Sequence, residues 1–151
     1  VSGVEEVLHN WEKIKRCEPG YDERESVLDG IPESLPALMR AAQMSRKAAR
    51  TGFDWPDVHS IFDKLREEVA ELEAAVDRGD PAAIKEEIGD LLFTVVNVAR
   101  RKDIDPEEAL RDMLKKFLRR FSRIEKRARE TGRDIGEMTL EEMDCVWDEA
   151  K

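Results

Sequence analysis

Cysteine, glycine, proline and aromatic residues are all scarce in this chain of 151 residues: 2 Cys, 8 Gly, 6 Pro and 6% Phe, Trp and Tyr. The two distant cysteines, Cys17 and Cys145, neither make a zinc site alone nor suggest a disulfide framework. So few turn-formers and aromatics disfavour a sandwich or barrel of short strands. No apolar run approaches the ~20 residues of a membrane helix, and no signal peptide precedes the first helical pattern. A basic excess is lacking as well. The chain has 26 Lys plus Arg against 35 Asp plus Glu, a formal net charge of −9. That balance makes it a poor general binder of nucleic acid, whose phosphates need a basic surface. These absences together describe a soluble, cytoplasmic protein with neither nucleic acid nor membrane as partner. The start at Val1 rather than Met fits a piece of something longer.

What is present is charge and helical punctuation. Forty per cent of the residues are charged and 40% hydrophobic, and the length suits a single domain over 1–151 with a real core. Ser2 and Glu5 make a capping box for a helix to about Arg16. Residues 17–33 carry Gly, Pro and charge without period and read as a long loop. Pro36 opens a helix that Gly52 closes. A third helix runs from about Asp57 to Asp77 and stops at Gly79. Asp80-Pro81 and Asp105-Pro106 each cap a further helix, the second reaching Glu130. Thr139 with Glu142 is another capping box, for a short helix through Trp147. No strand pattern competes. The fold class expected is all-α, a helical bundle.

The chemistry lies in KLREEVAEL (64–72) and KEEIGDLLFTVVNVAR (85–100). At about 100° per residue, Ile61, Leu65, Val69, Leu72 and Val76 form one apolar face. Glu68 and Glu71 lie along its edge as helical neighbours, while Glu67 projects nearly opposite and Glu73 reads as solvated. Residues 88–99 are almost all apolar, so this helix should be covered on most sides. Yet Glu87, Asp90, Thr94 and Asn97 share a polar stripe on it. A charge in a covered helix costs several kcal/mol unless it is paired or metal-bound, so Asp90 needs a partner. Gly89, at roughly 1 kcal/mol worse than Ala in a helix, suggests a close backbone or ligand.

Antiparallel packing through the short GDP connection puts both carboxylate pairs on one seam. Carboxylates without histidine suit Mg²⁺, with Mn²⁺ as the alternative. A di-iron bundle would want Glu-x-x-His in two helices. A salt-bridged seam, with Lys64, Lys85 or downstream arginines neutralising the acids, uses the same residues. Charge is segregated: 63–90 holds ten acids and four bases, whereas 111–129 holds nine bases and two acids. Met113, Leu114, Phe117, Phe121 and Ile124 give the basic helix its apolar stripe, which Lys116 and Arg120 flank. A carboxylate-held cation together with an Arg/Lys helix is what a polyphosphate ligand requires. His9 and His59 have no motif around them. Trp11, Trp55, Phe62, Phe93 and Phe117 read as core, Trp55 with the further option of bordering a base pocket.

With those residues in view, the sequence resembles the MazG-type nucleoside triphosphate pyrophosphohydrolases of the all-α NTP pyrophosphatase superfamily. The family pattern EExxE…ExxD appears as Glu67, Glu68, Glu71, Glu87 and Asp90. VLDGIPESLPAL (27–38), AARTGFDW (48–55), EEIGDLLFTVVNVAR (86–100), KFLRRF (116–121) and Trp147 extend the match over nearly the whole chain. It looks most like the C-terminal of the two MazG domains in longer bacterial proteins. Leu114 departs from the polar residue, often Asn, expected there.

The resemblance implies Mg²⁺-dependent hydrolysis of NTP to NMP and pyrophosphate, of broad specificity, in nucleotide-pool cleansing or stress response. By motif match, Glu68, Glu71, Glu87 and Asp90 hold the metal. Lys116 and Arg120 grip the phosphates and Trp147 sits against the nucleotide, with Lys64, Glu67 and Glu86 bordering the site. A homodimer or higher oligomer that completes the bundle is also implied. The alternatives are a catalytically idle dimerisation or regulatory module, and a narrower dUTP/dCTP or phosphoribosyl-ATP pyrophosphohydrolase. The VLDG and GFDW segments favour the MazG branch.

Overall fold

Asp-Pro pairs and a left-handed glycine set the helix boundaries. A computed structural model describes residues 26–150, and the helix expected over Ser2–Arg16 lies outside them, with His9, Trp11 and Cys17. The described residues form five α-helices and no strand: α1 (Ala37–Arg50), α2 (Val58–Arg78), α3 (Pro81–Arg101), α4 (Pro106–Glu130) and α5 (Leu140–Glu149). The class is all-α, as expected. None of these helices is long and apolar enough to cross a membrane. The chain divides after Lys102 into two compact units.

In the first unit, Asp57 opens α2 by accepting the Ser60 N–H at 2.8 Å. Gly79 closes α2 at φ +64°, a left-handed position that costs a glycine nothing. The next residue starts α3, Asp80 accepting the N–H groups of Ala82 and Ala83 at 3.0 and 3.2 Å. The connection is so short that α2 and α3 must fold back on each other, and they pack together, with α1 against α3. Ala42, Ile61, Ala75 and Val96 are the buried apolar residues among those described in this unit.

The other end of α3 is held by polar groups. Asn97 is fully buried, with the Ser45 hydroxyl of α1 donating to its Oδ1. Its Nδ2 donates to the Phe93 carbonyl at 3.0 Å, and Arg100 Nε donates to its Oδ1 at 3.3 Å. Arg100 also pairs with Asp54, and Arg101 donates to the Pro56 carbonyl at 2.9 Å. Burial works against the Asp54 carboxylate. Arg100's hydrogen bond and charge, the Trp55 N–H and Arg101 outweigh it and hold the carboxyl below its ordinary range.

The second unit is built on α4, a 3-10 turn at Ile135–Glu137 and α5. Asp105 caps α4 through the Glu107 and Glu108 N–H groups at 2.8 and 3.1 Å. Thr139 and Glu142 exchange the reciprocal bonds of a capping box. Ile124, Ala128, Met138 and Val146 form the core, with Phe121, Ile135, Met143 and Trp147 packed around it.

Several packing expectations are corrected. Buried α2 positions are Ile61, Glu68 and Ala75, spaced by seven, so the seam with α3 runs along that line. Leu65 and Leu72 flank it half-buried, whereas Val69 and Val76 are exposed. The apolar stripe is wider than the contact one neighbour can make. For the same reason α3 is not covered on most sides by the described residues: Ile88, Leu92, Phe93 and Val95 are exposed. Phe62 and Phe117 are likewise exposed rather than core. A Cβ on Gly89 would meet nothing within 4 Å among the described residues, so the close approach expected there is not made by them.

Removing the Asn97 amide strands the Ser45 hydroxyl and disturbs Arg100. Asn97→Ala should therefore destabilise by about 2–3 kcal/mol and Ser45→Ala by about 1 kcal/mol, the cost of buried groups left unpaired. The double variant should lose less than the sum in urea denaturation.

Candidate active site

The line Ile61–Glu68–Ala75 would be apolar in an ordinary helix pair, and its middle position holds a carboxylate that is only 4% exposed. A buried unpaired charge costs several kcal/mol, and Lys64, one turn earlier, supplies the compensation. Lys64 Nζ donates to Glu68 Oε1 at 2.8 Å and to Glu67 Oε1 at 3.0 Å. The hydrogen bond to Glu68, then that to Glu67, holds the lysine well above its ordinary range, so it is an ammonium at every physiological pH.

Glu71 continues the same edge one turn on, and the fold-back brings Glu87 of α3 alongside. Oxygens of Glu68, Glu71 and Glu87 all lie within 4.8 Å of one another. Among the described residues, neither Glu71 nor Glu87 has a basic partner. The salt-bridged alternative therefore accounts for one acid of the three. Glu87 is half-buried, and its carboxyl is raised above 4.5, by partial burial first and then by the charges of Glu71, Glu68, Asp90 and Glu86.

Three converging carboxylates, of which only Glu68 meets an ammonium, leave negative charge that a cation would offset. Hard oxygen donors without His or Cys fit a hard dication such as Mg²⁺ or Mn²⁺. Asp90 and Glu86 are exposed and lie outside the converging trio. The expectation that Asp90 is enclosed and requires a partner is corrected: it faces solvent and adds negative potential at the rim. Lys85 and Glu73 are exposed.

The remaining expected residues belong to the second unit, described by itself. The Arg120 guanidinium lies 5.2 Å from the Trp147 ring centroid. Phe117 is 5.4 Å from Trp147 and stacks on Phe121 at 5.8 Å. Arg120 Nε is buried with no hydrogen-bond partner. Lys116 and Leu114 are exposed, and Lys116 has no carboxylate partner among the described residues. A cation over an aromatic face is held in place while keeping its donors for a ligand.

Sequence reasoning missed Asp54. The residues Gly52, Phe53, Asp54, Trp55 and Pro56 line a cavity of about 330 Å³, and Trp55 is half-buried in that loop. The signal available was an acid between two aromatics and the Arg100-Arg101 pair 46 residues on.

Residues 56–124 match the MazG nucleotide pyrophosphohydrolase domain. The chain is 42% identical over 148 residues to the nucleoside triphosphate pyrophosphohydrolase of Escherichia coli K12, covering 97% of this chain and 56% of that protein. It is 38% identical over 141 residues to the nucleoside triphosphate pyrophosphohydrolase/pyrophosphatase MazG of Thermotoga maritima, covering 93% and 54%. It is 47% identical over 152 residues to the uncharacterized protein YabN of Bacillus subtilis, covering 100% and 31%. The chain thus spans about half the length of the first two of these relatives. The family whose model matches residues 56–124 is the one that the resemblance named.

The raised Glu87 carboxyl has a consequence for stability. Its folded pKa exceeds its unfolded value, so the folded protein binds more protons and stability falls as pH rises from 4.5 through the raised value. In chelator the wild-type melting temperature should fall across that window. Glu87→Gln should flatten the profile and melt higher at neutral pH. Mg²⁺ or Mn²⁺ should raise the wild-type melting temperature more than that of Glu87→Gln.

Proposed function

We propose that this chain hydrolyses nucleoside triphosphates to nucleoside monophosphates and pyrophosphate, using Mg²⁺ or Mn²⁺ held by Glu68, Glu71 and Glu87 with Asp90 at the rim. The observation that carries the proposal is the convergence of three carboxylates from two helices on a spot with a single ammonium. The names of the Escherichia coli and Thermotoga relatives support the reaction class. In this reading 1–151 acts as one MazG-like functional domain, because those relatives align across both units.

A bound dication there supplies charge neutralisation for phosphate oxygens and a lowered proton affinity for water. Glu71 and Glu87, lacking bases of their own, are the acids free to bind it. Glu68 is fixed by burial and by Lys64. Asp90 and Glu86, exposed at the rim, keep the site negative and so selective for a cation over a bare phosphate. Lys116 and Arg120 bind phosphate oxygens, Arg120 through the planar donor fork that Trp147 backs. Trp147 presents the rest of its ring to the nucleotide.

The reading further includes broad specificity, a cytoplasmic setting and a role in nucleotide-pool cleansing or stress response. It also includes a homodimer. Phe62, Val69 and Val76 on α2 and Ile88, Leu92 and Val95 on α3 form exposed apolar stripes, and contiguous exposed stripes of this kind mark an interface.

Pyrophosphate release from a panel of NTPs and dNTPs tests the reading. Release should require a divalent cation, and Glu71→Gln or Glu87→Gln should lower it more than about 100-fold. Asp90→Asn should cost about 10–100-fold, the range for groups that tune a metal site. Lys116→Ala and Arg120→Ala should each raise KM about tenfold or more, for one lost charged hydrogen bond. Light scattering should give twice the chain mass, and Leu92→Glu should halve it. Nucleotide binding without turnover would point to the idle module, and release from one nucleotide alone to the narrower enzymes.

A further inference from the structure

Lys64 is a substrate-binding candidate by its place beside the site, yet its geometry fits a different task. Two of its three donors are already engaged, by Glu67 and Glu68. An exposed Lys–Glu pair one turn apart is labile and contributes little to stability. This pair differs because its acid end is only 4% exposed and sits in the packed line between Ile61 and Ala75. The carboxylate cannot turn out to water, so the ammonium is the partner its Oε1 keeps. Glu68 then has one oxygen left for anything bound between it, Glu71 and Glu87.

We propose that Lys64 is a positioning residue that makes Glu68 a one-oxygen metal ligand, and that it thereby selects small, six-coordinate Mg²⁺ or Mn²⁺ over Ca²⁺. The inference rests on the metal-site reading above. Ca²⁺ accepts six to eight oxygens at about 2.3–2.6 Å and favours carboxylates that give both oxygens, whereas Mg²⁺ demands near-octahedral geometry at about 2.0–2.1 Å. An ammonium parked on Oε1 forbids the two-oxygen mode at Glu68 and leaves the one-oxygen mode intact. It is the outer-sphere fixing of a ligand that tunes many metal sites.

Titration calorimetry of the full, metal-free chain with Mn²⁺ and with Ca²⁺ separates this role from a general electrostatic one. Both cations carry the same charge, so loss of the lysine charge alters both affinities alike and cancels in their ratio. In wild type Mn²⁺ should bind more tightly than Ca²⁺. Lys64→Met should shift the ratio toward Ca²⁺ by about tenfold, the lower end of effects seen on removing such outer-sphere partners. Lys64→Arg, which keeps the donors, should retain the wild-type ratio. A wild-type ratio in a folded Lys64→Met variant overturns the proposal and leaves the metal site standing. A drop in its melting temperature alone, with the ratio unmoved, does the same, because it marks a purely structural salt bridge. Should Lys64→Met fail to fold, the wild-type chain still decides: Ca²⁺ binding as tightly as Mn²⁺ overturns the selection. Binding of neither cation to wild type overturns the metal reading itself.

Discussion

The structure around the site depends on a carboxylate held in the seam between two helices. Glu68 takes the place that Ile61 and Ala75 take one repeat away on either side, so the apolar packing of α2 on α3 encloses a charge. Burial of that kind is tolerated only with compensation, and here it comes from Lys64 on one side. On the other side the fold adds Glu71 and Glu87, which deepen the imbalance. A helix pair evolved for stability alone would place a leucine at 68. In the proposed reading, the cost of Glu68 is the cost of a cation site whose ligands cannot drift.

That site needs α3 fixed in register against its neighbours, and polar groups again provide the fixing. Asn97 receives Ser45 from α1 and Arg100 from its own helix, and Arg100 carries the chain of bonds on to Asp54. A buried hydrogen-bonded network has one satisfied arrangement, whereas an apolar contact tolerates sliding. The Glu87 end of α3 is thus placed from its far end as much as by the short turn at Gly79-Asp80. The asymmetry between the exposed acids Asp90 and Glu86 and the enclosed Glu68 follows from which face of each helix the seam occupies.

Much of this was legible in the residue order. Asp57, Asp80, Asp105 and Thr139 announce helix starts through local hydrogen bonds that need no tertiary partner, and Gly79 announces a stop because the left-handed turn suits it. The fold-back of α2 on α3 follows from a connection too short to permit anything else. The trio Glu68, Glu71 and Glu87 was likewise readable from spacing. Asp54 was not: its partner lies 46 residues away, and nothing local marks an acid in a loop as the anchor of a distant arginine. The 3-10 turn at Ile135–Glu137 was also missed, being too short to show a period.

By itself the sequence determined the helices, their ends, the segregation of charge and the set of carboxylates from which a site is drawn, because caps and periodicity act over a few residues. The tertiary structure decided where along each apolar stripe the seam runs. It buried Glu68 while leaving Asp90 in solvent, exposed Val69, Val76 and Leu92 where periodicity alone marks them as core, and brought no described residue close to Gly89. The physical reason is that a helical stripe spans about 100° or more of the cylinder, and a single neighbouring helix covers only part of it. Which part is set by the neighbour's position, fixed here by the Asn97–Arg100–Asp54 bonds and the Gly79-Asp80 turn.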